Sequence, residues 1–514
     1  MIPKVSMEDF FMSKFLDSVG YSEEKQTSVK TEIIAGIVTF LAMAYILTVN
    51  PLQVLWGGTA DPRWSSVFMA TAFGAIIGTL LMAFLAKMPL AQASGMGLNA
   101  MVGSMLGGVY GAFTQSGTFM VVLISGLVFL LLSVIKIKGK TFRELIFDGM
   151  PVPVRGAISV GIGLFIAYIG FQNAGIIVTN QYTQVGLVDF TNWDLQLIQW
   201  SGTVGFAAKT ASVALIGLFI IAILDKFDVK GSVIIGIVAA TIIGIPFGVT
   251  DLSVLKGDGA ISWKFWENFA NFFTVGEESV FLSFTGVFKE GFGAGVGVFT
   301  IIMLVITFCM IDMFDTMGTI VGCCGGNRIL SDENNKPHNY DKIMISDAVA
   351  TCTGAMLGTS TVTTFVESGA GVSAGGRTGL TAFVTACLFF LSIFIMPVFA
   401  AIPGAATASA LIYVGVLMMK NNVKSIDFSN AINAVSAFLT IVVMVLAYSI
   451  TKGIGIGLVT YTVLSLISYA VEWIIYAIKA KKDAELAKPV FPVSIVAIIV
   501  TVLFLVYFFV PTVI

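Results

Sequence analysis

The sequence predicts an all-α polytopic membrane protein with about fourteen transmembrane spans, and three observations lead to this prediction. Of the 514 residues, 57% are hydrophobic and 11% are charged, whereas a soluble domain carries about 25% charged residues. Apolar stretches of about 20 residues, enough to cross a hydrocarbon core of about 30 Å, recur along the chain. Lysine and arginine cluster in short segments between these stretches, a pattern typical of cytoplasmic loops.

The apolar stretches form two blocks of seven spans, followed by one more apolar stretch at 490–511 that is either a fifteenth span or a C-terminal packing segment. The first block covers 31–56, 67–86, 90–113, 118–136, 155–173, 209–225 and 231–249. The second covers 293–321, 341–358, 359–376, 377–399, 404–420, 430–450 and 454–478.

The basic clusters orient these spans. They precede span 1 and follow spans 4, 6, 8, 12 and 14, so all of them face the cytoplasm of a cell membrane if the N-terminus is cytoplasmic. We therefore divide the chain into a cytoplasmic N-terminal segment, a first repeat, an extracellular or interfacial segment, a second repeat and a C-terminal segment. Their bounds are 1–30, 31–249, 250–290, 291–482 and 483–514.

An odd number of spans per block makes the second block enter the membrane in the opposite orientation, as in an inverted-topology repeat. Span 3 contains MPLAQASGMGLNAMVG, and span 10, its counterpart, contains LGTSTVTTFVESGAGVSAGG. Each places a polar or β-prone stretch before a glycine-rich one, which makes a poor lipid-facing helix. Paired interruptions at corresponding positions indicate a binding site near the membrane midplane.

Three acidic residues lie inside spanning segments. Asp312 and Asp315 are three residues apart in span 8, and Glu367 lies where span 10 becomes glycine-rich. A carboxylate at that depth costs about 2.5–3.5 kcal/mol on insertion scales, so such residues usually face a cavity, a partner or a substrate. Two carboxylates this close repel each other when both are ionised, which favours a proton on one of them.

Other residues near these acids are weaker candidates. The Asn99 amide in span 3 carries donors and an acceptor suited to a lactam edge, and Phe314 and Phe365 could stack on a flat base. Asp347 at the start of span 9 and Glu32 at the start of span 1 are interpreted as helix-end residues. Five cysteines and one histidine lack metal-ligand spacing, so no metal or redox cofactor is expected. No basic tract indicates nucleic acid.

Four motifs, in this order and spacing, resemble the AzgA-like purine permeases of the nucleobase:cation symporter-2 family. They are EIIAGIVTFLAMAYILTVNP at 32–51, SGMGLNA at 94–100, DMFDTMGT at 312–319 and GTSTVTTFVESGAGVSAGGRTGLTA at 358–382. The resemblance implies the uracil-transporter fold, with short strands in spans 3 and 10. It also implies a core domain of spans 1–4 and 8–11 and a gate domain of spans 5–7 and 12–14.

The resemblance further implies a transporter, not an enzyme, that imports adenine, guanine or hypoxanthine with protons. Asn99, Asp312 and Glu367 would then contact the base, and Asp315 would assist proton coupling or site geometry. The uracil branch has a histidine four residues after its span-8 acid, where this chain has Thr316 after Asp312. Sodium coupling and a homodimer through the gate domain stay open.

Three alternatives compete with this interpretation. A uracil or xanthine carrier of the same family shares the fold, and so does an anion carrier, although acidic residues are ill-suited to an anion site. An intramembrane aspartyl protease would need two acids on separate helices, whereas Asp312 and Asp315 share one.

Overall fold

The computed structural model describes most of the chain. The described residues are 7–55, 61, 63–108, 112–137, 140–141, 145, 149–180, 183–193, 196–198, 204–256, 261–274, 282–324, 327–331, 337–479 and 488–509.

Helices dominate both halves. The helices of the first half are α1 (Met7–Ser18), α2 (Val29–Met43), α3 (Ile46–Val54), α4 (Trp64–Leu81), α5 (Met96–Leu106), α6 (Gln115–Val134), α7 (Val152–Asn173), α8 (Ala207–Lys226) and α9 (Ser232–Gly244). Those of the segment that follows and of the second half are α10 (Phe265–Thr274), α11 (Leu282–Glu290), α12 (Val298–Cys324), α13 (Tyr340–Leu357), α14 (Ser368–Ser373), α15 (Gly379–Ser392), α16 (Met396–Ala400), α17 (Gly404–Asn422), α18 (Ala431–Leu446), α19 (Ile450–Lys479) and α20 (Ile495–Phe509).

Each predicted span has a counterpart among the described residues. In the part of the chain that the structure describes, eight helical segments are long and apolar enough to cross a membrane, and spans 3, 7, 12 and 13 are shorter apolar helices. Span 9 is α13, which carries more polar residues, and span 10 is a strand followed by the short α14. The prediction of fourteen spans in two sevens is confirmed.

Among the described residues, ten short strands form five antiparallel pairs. The strands are β1 (Gln92–Ser94), β2 (Ala112–Phe113), β3 (Lys136–Ile137), β4 (Lys140–Thr141), β5 (Ile177–Asn180), β6 (Gln184–Leu187), β7 (Gln196–Ile198), β8 (Val204–Phe206), β9 (Gly293–Ala294) and β10 (Val362–Thr364). The β5–β6 and β7–β8 pairs lie in the segment between α7 and α8 that the sequence analysis left without structure.

The β1–β10 pair joins the two halves of the chain. Gln92 pairs with Thr364 and Ser94 with Val362, and every residue of both strands is buried. Non-helical backbone survives at membrane depth only where its polar groups are paired inside protein. The predicted strands in spans 3 and 10 are confirmed, and each supplies hydrogen-bond partners for the backbone of the other.

The helices pack in two groups. Helices α2–α6 pack against α12–α16, while α7–α9 pack against α17–α19. These groups correspond to the predicted core and gate. Helix α20, from the unassigned stretch at 490–511, packs along α19, where the hydroxyls of Thr462 and Thr501 lie 2.8 Å apart.

Candidate functional site

A cavity of about 520 Å³ lies between the two helix groups. Its volume falls within the range of about 300–1,000 Å³ typical of small-molecule sites. Core elements contribute one wall and gate helices the other. Its lining includes Gly95, Met96, Asp315, Thr319, Cys323, Phe365, Glu367 and Ser373 from the core, and Ser159, Ile162, Ile166, Val414, Met418 and Asn422 from the gate.

Two of the three predicted intramembrane acids face this cavity. Asp315 lies on α12 with Thr319 one turn further on the same helix face, as the four-residue spacing requires. Glu367 immediately precedes α14, so the predicted half-helix does begin beside it. The carboxyl groups of Asp315 and Glu367 lie within electrostatic reach of each other.

Glu367 has a partner that the sequence analysis did not assign to it. The buried Tyr45 side chain lies at the break between α2 and α3, and its hydroxyl donates a 2.5 Å hydrogen bond to Glu367 Oε1. The break in span 1 thus brings a phenol to the acid of span 10. Phenol–carboxylate bonds are short and strong because the acceptor is charged.

The other two predicted contacts lie outside the cavity lining. Asp312 is buried against α13, where its Oδ2 accepts a 2.9 Å hydrogen bond from the Thr351 hydroxyl. Asn99 is also buried, and its Oδ1 accepts from the Ser360 hydroxyl. Asp312 and Asp315 are three positions apart, which leaves their side chains about 60° apart around the helix axis, enough to turn one toward a neighbouring helix and the other toward the cavity. The assignment of Asn99 and Asp312 as substrate contacts stays a prediction.

The two aromatic candidates differ in what the structure describes. Phe365 is buried and lines the cavity beside Glu367, a position from which its ring can meet a flat ligand. The side chain of Phe314 lies outside the described residues.

Asp347 is the centre of a buried hydrogen-bond cluster, not a helix-end residue as the sequence analysis expected. One of its oxygens accepts from Gln92 Nε2 at 3.0 Å and from the Thr364 backbone N–H at 3.2 Å. The other accepts from the Thr316 hydroxyl at 2.7 Å. Thr316 therefore serves Asp347 and not Asp312. Asp347 lies seven residues after the first residue of α13, deep enough to tie the strand pair to α12.

Glu32 lies in the first turn of α2, as predicted. Its carboxylate also accepts from the backbone N–H groups of Arg377 at 2.9 Å and Thr381 at 3.2 Å. Glu32 therefore joins the start of α2 to the start of α15, where helix N–H groups lack internal partners.

Comparisons with known proteins identify the family. Residues 30–456 match the model of a permease family, that of xanthine and uracil permeases. The chain belongs to the xanthine/uracil permease family. The adenine permease AdeP of Escherichia coli is 34% identical over 88% of this chain and 90% of its own. The guanine/hypoxanthine permease PbuO of Bacillus subtilis is 34% identical over 86% of this chain and 92% of its own.

A solved structure supports the fold of this permease. The transmembrane domain of the cyanobacterial bicarbonate transporter BicA superposes with a TM-score of 0.54 at 16% identity, covering 82% of this chain and 96% of that one. The resemblance inferred from the four motifs is confirmed at the level of the family. This chain is therefore a multi-pass nucleobase permease and not an enzyme.

Sequence reasoning missed two residues that line the cavity of the permease, Thr319 and Cys323. Tyr45, whose hydroxyl bonds to Glu367, was considered only as one of three aromatic residues that could stack on a base. Thr319 lies four residues after Asp315 and was not placed facing the cavity. Cys323 lines the cavity, although cysteines in apolar spans usually only fill space.

Proposed function

We propose that this permease imports purine nucleobases together with protons, by alternating access between the two helix groups. One observation carries the proposal: Asp315 and Glu367 face a single cavity whose described lining contains no lysine, arginine or histidine. Such a lining suits a neutral ligand with N–H donors, because carboxylate oxygens only accept hydrogen bonds. It does not suit an anion, which requires cations or free N–H groups.

The same lining suits a purine base in shape. A purine has flat apolar faces and a polar edge, and Phe365 offers a ring beside the Glu367 carboxylate. Base–aromatic stacking contributes about 1–3 kcal/mol per base. The relatives named as adenine and guanine/hypoxanthine permeases support a purine over a pyrimidine.

Proton coupling follows from placing two acids in one low-dielectric cavity. When both are ionised they repel each other, so a proton on one of them reduces the cost of closing the cavity around a base. Release of the base and the proton on the other side then restores the empty site. Sodium coupling is the alternative that the experiment below tests.

With the N-terminus cytoplasmic, the cavity reaches toward the cytoplasm. Its lining extends to Cys323, Ser373 and Asn422, which lie at the last residues of α12, α14 and α17. The loop after α12 carries the basic residues that orient the chain. We assign this arrangement to the inward-facing state of the transport cycle.

Uptake measurements test the proposal. Labelled adenine, guanine, hypoxanthine, uracil and xanthine would be offered to cells without their own carriers, at acidic and slightly alkaline pH, with and without a protonophore. We expect accumulation of at least one purine that the protonophore abolishes and that sodium removal leaves intact. Three outcomes would each contradict part of the proposal. They are a preference for uracil or xanthine, saturable uptake that the protonophore does not change, and uptake of bicarbonate without uptake of any base.

A further inference from the structure

A second, small cavity lies on the boundary between the two helix groups, further along the same helices. It has a volume of about 20 Å³. Helix α5 contributes its first residues to the large cavity and Ala100 and Gly103 to the small one. Helix α7 contributes Ile166 to the large cavity and Ile169 to the small one. The two cavities therefore follow one another along a single interface.

The Gln53 side chain borders the small cavity and is 8% exposed. Neither its amide nitrogen nor its amide oxygen has a hydrogen-bond partner among the described residues. A buried amide without partners is costly, and native structures rarely keep one without a reason. A cavity of this size has room for about one water molecule and not for a base.

The wall opposite Gln53 belongs to the gate helices and is also partly polar. Asn173 at the end of α7 and Tyr448 between α18 and α19 line it. Tyr448 has a backbone φ of 48°, in the left-handed region that residues other than glycine seldom adopt. Polar groups from both helix groups thus meet at the small cavity.

We propose that the small cavity is the closed far half of the translocation path, and that Gln53 is a second base-recognition residue that meets the substrate when this half opens. The inference rests on the proposed import of purine bases. Its ligand class is a planar heterocycle with an adjacent donor and acceptor, because a primary amide pairs with such an edge through two hydrogen bonds, as glutamine does with adenine.

The position of Gln53 fits such a role because its backbone is held by the core. Helix α3 packs against α5, and a Cβ atom at Gly103 would collide with the Gln53 carbonyl oxygen. Gln53 therefore moves with the core strands and half-helices, while Asn173 and Tyr448 move with the gate. Rocking of one group against the other would expose the amide to an arriving base.

The test is Gln53→Met, which keeps the length of the side chain and removes both polar groups. Gln172→Met is the matched control, because Gln172 also has a buried amide oxygen without a partner but does not line the small cavity. Both variants and the wild type would be compared for KM and Vmax of labelled purine uptake, for inhibition by a series of bases, and for thermal stability of the purified protein.

We expect Gln53→Met to raise the KM by on the order of tenfold for bases that present such an edge. The differences in KM among the bases should become smaller, and the melting temperature of Gln53→Met should stay the same or rise. Gln172→Met should match the wild type in both KM and melting temperature. Loss of thermal stability with unchanged KM would mean that Gln53 is structural, and an unchanged KM and ranking at normal stability would overturn the inference. Absence of purine uptake by the wild type would instead overturn the proposed function, so the two failures are distinct.

Discussion

Two acidic clusters lie next to each other in the core of this permease, one buried and one facing the cavity, and they differ in which groups donate hydrogen bonds to them. Asp347 receives hydrogen bonds from Gln92, Thr316 and Thr364, so protein donors satisfy it. Asp315 and Glu367 face a cavity instead, and Tyr45 is the donor that reaches Glu367. The comparison shows that the position of a carboxylate deep in the membrane does not by itself indicate that it binds a ligand. The first cluster ties the strand pair to α12, and the proposed function assigns the second cluster to the ligand.

The largest effect should come from Glu367→Gln. Base uptake should fall by roughly two orders of magnitude, because losing a buried charged partner costs about 2–5 kcal/mol. Initial uptake rates at matched surface expression measure this, with Glu267→Gln as control, since Glu267 lies on α10 and is not part of the cavity lining. Near-normal uptake by Glu367→Gln would remove Glu367 from the site.

Asp315→Asn and Asp312→Asn sharpen the comparison on one helix. Asp315→Asn should uncouple uptake from the proton gradient, because Asp315 faces the cavity. Asp312→Asn should keep the coupling and lower the melting temperature, because Asp312 bonds to Thr351. Uptake into vesicles with imposed pH gradients, together with thermal unfolding, separates the two. The reverse pattern would support Asp312, and not Asp315, as the acid that contacts the base.

Asp347→Ala should lower the free energy of unfolding by about 3 kcal/mol, since each buried donor left without a partner costs about 1–3 kcal/mol. Thermal unfolding in detergent measures this loss, and Asp315→Asn provides the contrast with little expected change. Equal melting temperatures for Asp347→Ala and wild type would mean that the Asp347 cluster does not hold the strand pair.

The smallest effect should be protection of Cys323. Its Sγ lies on the cavity wall, 3.4 Å from the Val366 carbonyl oxygen, so a bound base should slow its alkylation a few-fold by covering it. Maleimide labelling with and without the transported base measures the rate, with Cys323→Ser to identify the labelled site. Labelling that is indifferent to the base would place the substrate elsewhere in the cavity.

Hydropathy and charge were enough to predict a helical membrane protein with about fourteen spans in two blocks of seven, whereas the strands and the core and gate domains were expected from the resemblance to purine permeases. Spans 3 and 10 could be located because a proline and several glycines interrupt apolar sequence, and such interruptions need internal partners. Their pairing register could not be predicted, because β1 and β10 are nearly 270 residues apart and too short for a pattern of side chains to fix it.

The site was harder to predict for a geometric reason. The motif DMFD places two acids on one helix. Only the packing of the neighbouring helices decides which acid bonds to another helix and which faces the cavity. Asp315 and Thr319 share the cavity face, whereas Asp312 bonds to Thr351 and Thr316 bonds to Asp347. Tyr45 needed a break between α2 and α3 that no proline or glycine at that point indicates.

The pairing of Gln92–Ser94 with Val362–Thr364 also has a consequence for biogenesis. The first strand is synthesised long before its partner exists, and its backbone N–H and C=O groups would meet lipid if the first repeat settled alone. An unpaired polar group in hydrocarbon costs several kcal/mol. We therefore expect the first repeat to stay at the insertion machinery until the second repeat has been synthesised. A chain truncated between the two repeats should be degraded and should not form a stable half of the protein.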